Sequence, residues 1–123
     1  MKILLVDDDP IVLESLDLTL KEFGHEVTPV NDGVYAVEEA ARGDFDLLIT
    51  DLIMPGIEGI ETIRHFQKHH PGIGIIAISG GARGSSTPYL NIAKAVGAKA
   101  TLAKPFTASE LNEAVDQVAV ASA

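Results

Sequence analysis

The sequence contains no cysteine. It is therefore not a disulfide-stabilised scaffold, and it has neither a thiolate nucleophile nor a cysteine-ligated zinc site. Apolar runs are short as well: the longest has about five residues, whereas a membrane-spanning helix needs roughly 20. Three acidic residues follow directly after residues 1–6, which is not the pattern of a signal peptide. We therefore expect a cytoplasmic protein with no membrane partner.

Basic residues are scarce. The 123-residue chain carries 9 Lys and Arg against 18 Asp and Glu, a formal net charge of -9. A surface with this excess of negative charge repels the phosphate backbone of nucleic acids, so we expect no nucleic-acid partner. Hydrophobic residues make up 46% of the chain and charged residues 22%, a balance typical of a globular domain. The length fits one domain over residues 1–123, and we expect no further domain.

Short apolar segments alternate with segments of helical periodicity along the whole chain. The apolar segments are typical of strands buried on both faces, as in parallel sheets. They comprise residues 2–6, 26–30, 45–50, 73–78 and 100–103. A helical segment follows each of them. This alternation predicts an α/β fold, a doubly wound parallel sheet of five strands with right-handed crossovers and five helices on both faces.

Capping signals and apolar spacing predict the limits and buried faces of the helices. Asp9 before Pro10 predicts a helix start, with Asp9 as the N-cap rather than a ligand. Thr107 and Glu110 form a capping box for the last helix, and we expect the tail after it, residues 119–123, to fray. We expect residues 56–59 to form a turn. Each of the five predicted helices has one buried face. From the first helix to the fifth, these faces consist of Val12, Leu16, Thr19, Leu20 and Phe23; Val34, Val37, Ala40 and Ala41; Ile60, Ile63, Phe66 and Gln67; Tyr89, Ile92, Ala93 and Val96; and Leu111, Ala114, Val115 and Val118.

Polar side chains follow four of the five predicted strands. In an open parallel sheet, ligands bind beyond the carboxyl ends of the strands. The residues found there are Asp7, Asp8 and Asp9 after the first strand, Asp51 after the third, Ser79 after the fourth and Lys104 after the fifth. Because these strand ends meet at one edge of the sheet, we expect carboxylates, one hydroxyl and one ammonium group to converge there.

Crowded carboxylates of this kind favour a divalent cation. Two carboxylates about 5 Å apart repel each other by roughly 3 kcal/mol at an effective dielectric constant of about 20. Oxygen ligands without His or Cys favour Mg²⁺ over zinc. A carboxylate can also act as the nucleophile in aspartyl-phosphate chemistry. Lys104 and the Ser79 hydroxyl would then stabilise the phosphoryl oxygens.

The motifs at these positions are Asp7-Asp8, Asp51 within DLIMPG, Ser79 after IIAI, and Lys104-Pro105-Phe106. In order and spacing, this set resembles the receiver domains of two-component response regulators. The resemblance covers essentially the whole chain. It implies a flavodoxin-like sheet of strand order 2-1-3-4-5, which the periodicity alone does not provide.

The resemblance also implies cofactor, partners and residue roles. Asp51 would accept a phosphoryl group from a phosphohistidine on a sensor histidine kinase or histidine phosphotransfer protein. The implied Mg²⁺ contacts are Asp8, Asp51, the main-chain carbonyl of Ile53 and, through water, Asp7. Ser79 and Lys104 would contact the phosphoryl group, and a downstream protein would bind the face formed by the fourth helix, fifth strand and fifth helix. We therefore expect a signalling phosphoacceptor rather than an enzyme.

Two departures from the family pattern affect the expected behaviour. The position three residues before the lysine is usually a Tyr or Phe whose ring turns inward on activation, and here it is Thr101. Because Thr101 is too small for that role, we expect the glycine-rich residues 80–86 and the start of the fourth helix to carry the change. Ile53 and Gly81 occupy positions that tune phosphoryl lifetime, and neither can orient an attacking water. Slow self-dephosphorylation is therefore expected.

Other interpretations of the same residues stay open. In a phosphatase of the haloacid-dehalogenase type, Asp7 would be the nucleophile and Asp9 the general acid, but Asp51 would then have no clear task. A flavodoxin-like binding module needs a phosphate-cradling loop where this chain has three acids. A receiver-like module that binds partners without being phosphorylated is a further alternative. The three histidines His65, His69 and His70 suggest a metal site, but they lie near a helix end, where cationic side chains are favourable, and we expect a surface role for them.

Overall fold

A computed structural model of the chain describes residues 1–52, 58–80 and 86–122. Helices and strands alternate as β1 (Lys2–Val6), α1 (Pro10–Glu22), β2 (Glu26–Val30), α2 (Gly33–Arg42), β3 (Leu47–Asp51), α3 (Glu58–His69), β4 (Gly74–Gly80), α4 (Ser86–Val96), β5 (Ala100–Lys104) and α5 (Ala108–Ser122). The five strands are parallel and lie in the order β2-β1-β3-β4-β5. The predicted doubly wound sheet, including the strand order implied by the resemblance, is confirmed.

The sheet has a hydrophobic core on each face. In β1, Ile3 and Leu5 belong to the core that includes residues of α1 and α5. The alternating residues Leu4 and Val6 belong to the opposite core, beneath α2, α3 and α4. Because helices cover both faces, side chains of either orientation are buried, which explains why the central strands are continuous apolar runs in the sequence.

The predicted capping residues lie at the helix starts and make the expected hydrogen bonds. The Asp9 carboxylate accepts a hydrogen bond from the Ile11 N–H at 2.9 Å, and Pro10 is the first residue of α1. Thr107 Oγ1 accepts from the Glu110 N–H, and the Glu110 carboxylate accepts from the Thr107 N–H, both at 3.0 Å. These reciprocal bonds satisfy amide groups at the start of α5 that have no partner within the helix.

Some residues of the predicted helix faces are exposed in the structure, although others, such as Ala40 and Ala93, are buried as predicted. In α2, Val34 is 63% exposed, whereas Ala36 and Ala40 are buried; in α4, Ile92 is exposed and Ala93 is buried. Small alanines allow a helix to lie close to the sheet, and the larger aliphatic side chains then lie at the edges of the contact. The residues wrongly predicted as buried are Phe23, Val34, Ala41, Gln67 and Ile92. The Tyr89 side chain lies outside the described residues.

Element boundaries also differ from the predicted ones. β3 begins at Leu47 rather than residue 45, and the Asp46 carboxylate before it accepts a hydrogen bond from the Lys2 N–H at 2.8 Å. β4 continues to Gly80, so that Ser79 lies within the strand. Of the predicted turn 56–59, residues 56 and 57 lie outside the described part of the chain, and Gly59 belongs to α3.

The last helix is longer than the sequence predicts. α5 has 15 residues and continues to Ser122, where we expected a frayed tail from residue 119. Its predicted core face is confirmed, since Leu111, Ala114, Val115 and Val118 are all buried. No helix in the described part of the chain is both long and apolar enough to cross a membrane.

Candidate functional site

Three carboxylates lie together at the carboxyl-terminal edge of the sheet. Asp7, Asp8 and Asp51 each offer one carboxylate oxygen, and these oxygens all lie within 4.8 Å of one another. They meet because β1 and β3 are neighbours, with Val6 paired to Thr50 directly before the acidic residues. Asp7 and Asp51 are almost fully buried, whereas Asp8 is exposed. The predicted convergence of carboxylates is confirmed.

Lys104 joins the two buried carboxylates. Its Nζ lies 3.3 Å from Asp7 Oδ2 and 3.3 Å from Asp51 Oδ2, although β5 is separated from β3 by β4. Burial alone would lower the pKa of Lys104. The negative charges of Asp51 and Asp7 and the hydrogen bonds to them outweigh that effect, so the pKa lies above its usual value. Lys104 is therefore a permanent cation at neutral pH, yet one ammonium does not balance three carboxylates.

Asp7 is held by hydrogen bonds at both carboxylate oxygens. Oδ1 accepts from the Asp9 N–H at 2.9 Å, and Oδ2 accepts from Lys104. Asp9 itself uses its carboxylate to cap α1 through the Ile11 N–H. The cap interpretation of Asp9 is thus confirmed, and an acid engaged with a helix start is poorly placed to serve as a general acid for Asp7.

Ser79 provides a buried hydroxyl at the same edge. It follows Ile78, the residue of β4 that pairs with Asp51. The side chain has no exposed surface, and its Oγ has no hydrogen-bond partner among the described residues. Leaving a buried hydroxyl without a partner costs about 1–3 kcal/mol. Ser79 thus offers a buried hydroxyl that can donate a hydrogen bond at this edge.

The donor set fits Mg²⁺. The group of three consists of carboxylates only, with no His or Cys in it, and hard oxygen ligands are those that Mg²⁺ prefers. Mg²⁺ usually retains several waters, and one of the three carboxylates, that of Asp8, is exposed to solvent. The Ile53 carbonyl lies outside the described residues, as do Gly81 and most of the loop 80–86, and their roles remain predictions.

Thr101 lies on β5, paired with Ala77, and is partly buried. It lines a groove of about 350 Å³ on the predicted partner face of α4, β5 and α5. The groove has a mixed-charge rim, which includes Lys94, Lys99 and Glu113. The structure therefore places Thr101 at a surface where a small side chain leaves space.

One contact at the site was missed by the sequence analysis. Gly59, in the first turn of α3, packs against the backbone of Asp51 and Leu52. The sequence signal was present, because a glycine in a helix often marks close packing. We interpreted it as part of a turn because Gly56 lies three residues earlier.

Comparison with known proteins agrees with this geometry. A family model described as response regulator receiver domain matches residues 3–116. The response regulator MprA of Mycobacterium leprae is 39% identical over 111 residues, which cover 90% of this chain and 47% of that protein. The chemotaxis protein CheY-3 of Vibrio cholerae is 32% identical over 124 residues, which cover 96% of this chain and 91% of that protein. The chain thus spans less than half the length of several curated relatives that it matches.

Solved structures show the same fold. The receiver domain protein (CheY-like) of Methanospirillum hungatei superposes with a TM-score of 0.89 at 27% identity, covering 98% of this chain and 94% of that one. The response regulator TrrA of Thermotoga maritima, solved in complex with Mg²⁺-BeF, gives a TM-score of 0.81 at 31% identity, with coverage of 95% and 97%. Since the family model spans nearly the whole sequence and the acidic site lies where the motifs predict, the chain belongs to the response regulator receiver domain family.

Proposed function

We propose that this protein is a phosphoacceptor of a two-component or phosphorelay system. Asp51 takes a phosphoryl group from a phosphohistidine on a sensor histidine kinase or a histidine phosphotransfer protein, with Mg²⁺ as cofactor. The observation that carries the proposal is the position of Asp51, a nearly buried carboxylate grouped with Asp7 and Asp8 and 3.3 Å from Lys104. The TrrA structure with Mg²⁺-BeF supports the same chemistry by similarity.

The proposed metal ligands are Asp8, Asp51 and the Ile53 carbonyl, with Asp7 acting through water. The indirect role of Asp7 is supported by its hydrogen bonds, because both of its oxygens already accept from Asp9 and Lys104. When bound, Mg²⁺ supplies positive charge that offsets the carboxylate repulsion and the charge of the phosphoryl oxygens.

The transfer step needs positioning and charge more than covalent chemistry from other side chains. A carboxylate oxygen of Asp51 forms a bond to phosphorus while the P–N bond to the donor imidazole breaks, and that bonding pair stays on the imidazole nitrogen. Lys104 keeps its proton and neutralises a phosphoryl oxygen. The Ser79 hydroxyl donates a hydrogen bond to another, which provides the partner that this buried group lacks among the described residues.

The modified Asp51 then changes the protein's binding surface. One charge-assisted hydrogen bond is worth about 1.5–3 kcal/mol, while a population change from 1:99 to 99:1 needs about 5.5 kcal/mol. Ser79 alone is therefore insufficient, and Lys104 must contribute. Because Thr101 has no ring to turn inward, we propose that residues 80–86 and the start of α4 carry most of the change to the α4–β5–α5 face, where an as yet unidentified protein binds.

The phosphodonor must approach the edge where Asp51 lies. α1 begins at that edge, directly after the acidic residues, and presents Ile11, which is 79% exposed. Leu18, seven residues further along α1, is 56% exposed. We propose that these two exposed apolar residues of α1 contact the donor protein.

An intact-mass experiment tests the proposal. With Mg²⁺ and a small acyl phosphate, the protein should gain about 80 Da, one phosphoryl group, in an acid-labile form. The adduct should be absent in Asp51→Asn and present in the control Asp44→Asn, whose carboxylate lies outside the acidic group. Rapid phosphate release without an adduct would instead support the phosphatase with Asp7 as nucleophile. No adduct and no release would support a binding module that is never phosphorylated.

A further inference from the structure

α3 carries two histidines one turn apart on the same side of the helix. The ring centroids of His65 and His69 lie 4.4 Å apart, with the rings inclined by 38°. His65 is half-buried and His69 is exposed, and both line a groove of about 570 Å³ that Val96 of α4 also lines. Imidazoles at positions i and i+4 of a helix face the same way and can bind one metal ion together.

We propose that His65 and His69 form a bidentate binding site for a divalent transition-metal ion that prefers imidazole, Cu²⁺ or Ni²⁺ above Zn²⁺. Metal–nitrogen bonds of about 2.0–2.1 Å place two ring centroids roughly 4.5 Å apart at a right-angled N–metal–N geometry and roughly 5.2 Å apart at a tetrahedral one. The observed 4.4 Å therefore matches the right angle that Cu²⁺ and Ni²⁺ adopt in tetragonal sites.

The neighbouring groups define how strong and how selective the site is. The ring of His70 lies 6.2 Å from that of His65 and packs 5.3 Å from the Phe66 ring instead. Among the described residues, the only metal-competent group of three or more is the carboxylate cluster, so water completes the coordination at the histidine pair. Affinity must then come from two metal–nitrogen bonds.

The charges near the histidine pair disfavour Mg²⁺ there, in contrast to the carboxylate site. Arg64 and Lys68 line the same groove and repel cations, so an ion held mainly by charge, such as Mg²⁺, gains little there. Metals that form strong bonds to imidazole still bind, helped by the carbonyl end of α3, which ends at His69. α3 leads from the end of β3 back to the start of β4, so the pair lies at the sheet edge opposite Asp51.

An NMR experiment locates the metal, because a paramagnetic ion broadens the signals of nearby amide groups. The protein is used without a polyhistidine tag and in millimolar Mg²⁺, which occupies the carboxylate cluster. Substoichiometric Ni²⁺ or Cu²⁺ should broaden signals centred on residues 64–70. The effect should disappear in His65→Gln and in His69→Gln, and it should persist in His70→Gln. It should also persist in His25→Gln, a control because His25 Nδ1 lies 3.1 Å from the amino terminus and could bind metal with it.

Calorimetry measures the same site independently. Ni²⁺ affinity should fall at least about tenfold in each single variant, since even outer-shell partners of metal ligands change affinity 10–100-fold. His69→Gln is the safer variant for folding because that side chain is exposed. Broadening centred on Asp51 or His25, or an unchanged Ni²⁺ affinity in the double variant, would overturn the proposal.

Discussion

The backbone of α3 at Gly59 lies directly against Asp51. A Cβ atom at position 59 would lie 2.5 Å from the Asp51 carbonyl oxygen and 2.6 Å from Leu52 Cα. Both are backbone atoms, so neither can rotate out of the way. Close approach, rather than a left-handed backbone, requires glycine here, and the first turn of α3 thereby fixes the chain at the proposed phosphorylation site.

Gly59→Ala should therefore damage both stability and function. We expect the free energy of unfolding to fall by about 1–3 kcal/mol, the usual effect of overpacking, and phosphorylation by a small acyl phosphate to slow. Denaturant titration and intact mass measure the two effects. Gly72→Ala is the matched control, since its Cβ would meet nothing within 4 Å. Equal stability of Gly59→Ala and wild type would show that this contact is not tight.

Asp51→Asn should make the protein more stable in the absence of divalent metal. The substitution removes repulsion with Asp7 and Asp8 and weakens the contact to Lys104. We expect a gain of about 1–3 kcal/mol in the free energy of unfolding, the scale of one close carboxylate repulsion at an effective dielectric constant of about 20. The gain should shrink in millimolar Mg²⁺, whereas Asp44→Asn should show no such metal-dependent difference. A less stable Asp51→Asn protein in EDTA would contradict the proposed charge crowding.

Lys104 should contribute stability that is lost only at high pH. Its pKa is raised in the folded protein, so the contribution is complete below the unfolded pKa of about 10.4 and declines as the pH rises through the folded value. Lys104→Met should lose about 1–3 kcal/mol at pH 8, less than the 3–5 kcal/mol of a fully buried pair. The stability difference between the two proteins should then narrow above about pH 10.4. A difference that stays constant up to pH 11.5 would refute the ion-pair explanation.

The Ile11 side chain should affect the rate of phosphoryl transfer from a protein donor but not the rate of phosphorylation by a small-molecule donor. Ile11→Ala should slow transfer from a phosphorylated histidine phosphotransfer protein severalfold, because this exposed side chain is proposed to contact the donor protein. Phosphorylation by acetyl phosphate should be unchanged. Val34→Ala on α2, also an exposed aliphatic residue, is the control. Equal slowing with both donors would place Ile11 in the chemistry rather than in docking.

The site was predictable from the sequence because its residues are attached to the best-defined elements. Strands buried on both faces appear as continuous apolar runs, and the polar residue that ends each run must lie at one sheet edge. Asp7, Asp51 and Lys104 were placed in this way, while the strand order required the family resemblance. By contrast, the helix faces depend on how closely each helix approaches the sheet, which apolar spacing does not encode. Val34 and Ile92 were placed wrongly for this reason.

The hydrogen bonds within the site could not be predicted from the sequence, for a similar reason. The apolar run IIAI predicts that Ser79 follows its strand, yet the strand continues past it and buries the hydroxyl without a partner among the described residues. The bond from the Asp9 N–H to Asp7 depends on the angle at which the chain enters α1. Such details follow from the three-dimensional path of the backbone, and residue type alone does not specify them.

Identification of the modified residue decides whether Asp51 is the phosphoacceptor. After reaction with acetyl phosphate and Mg²⁺, borohydride reduces an aspartyl phosphate to homoserine, and peptide mass spectrometry locates it. The account predicts homoserine at position 51 in the wild-type protein and none anywhere in Asp51→Asn. Homoserine at position 7 or 8, or its absence from position 51 despite a phosphoryl adduct on the intact protein, would contradict it.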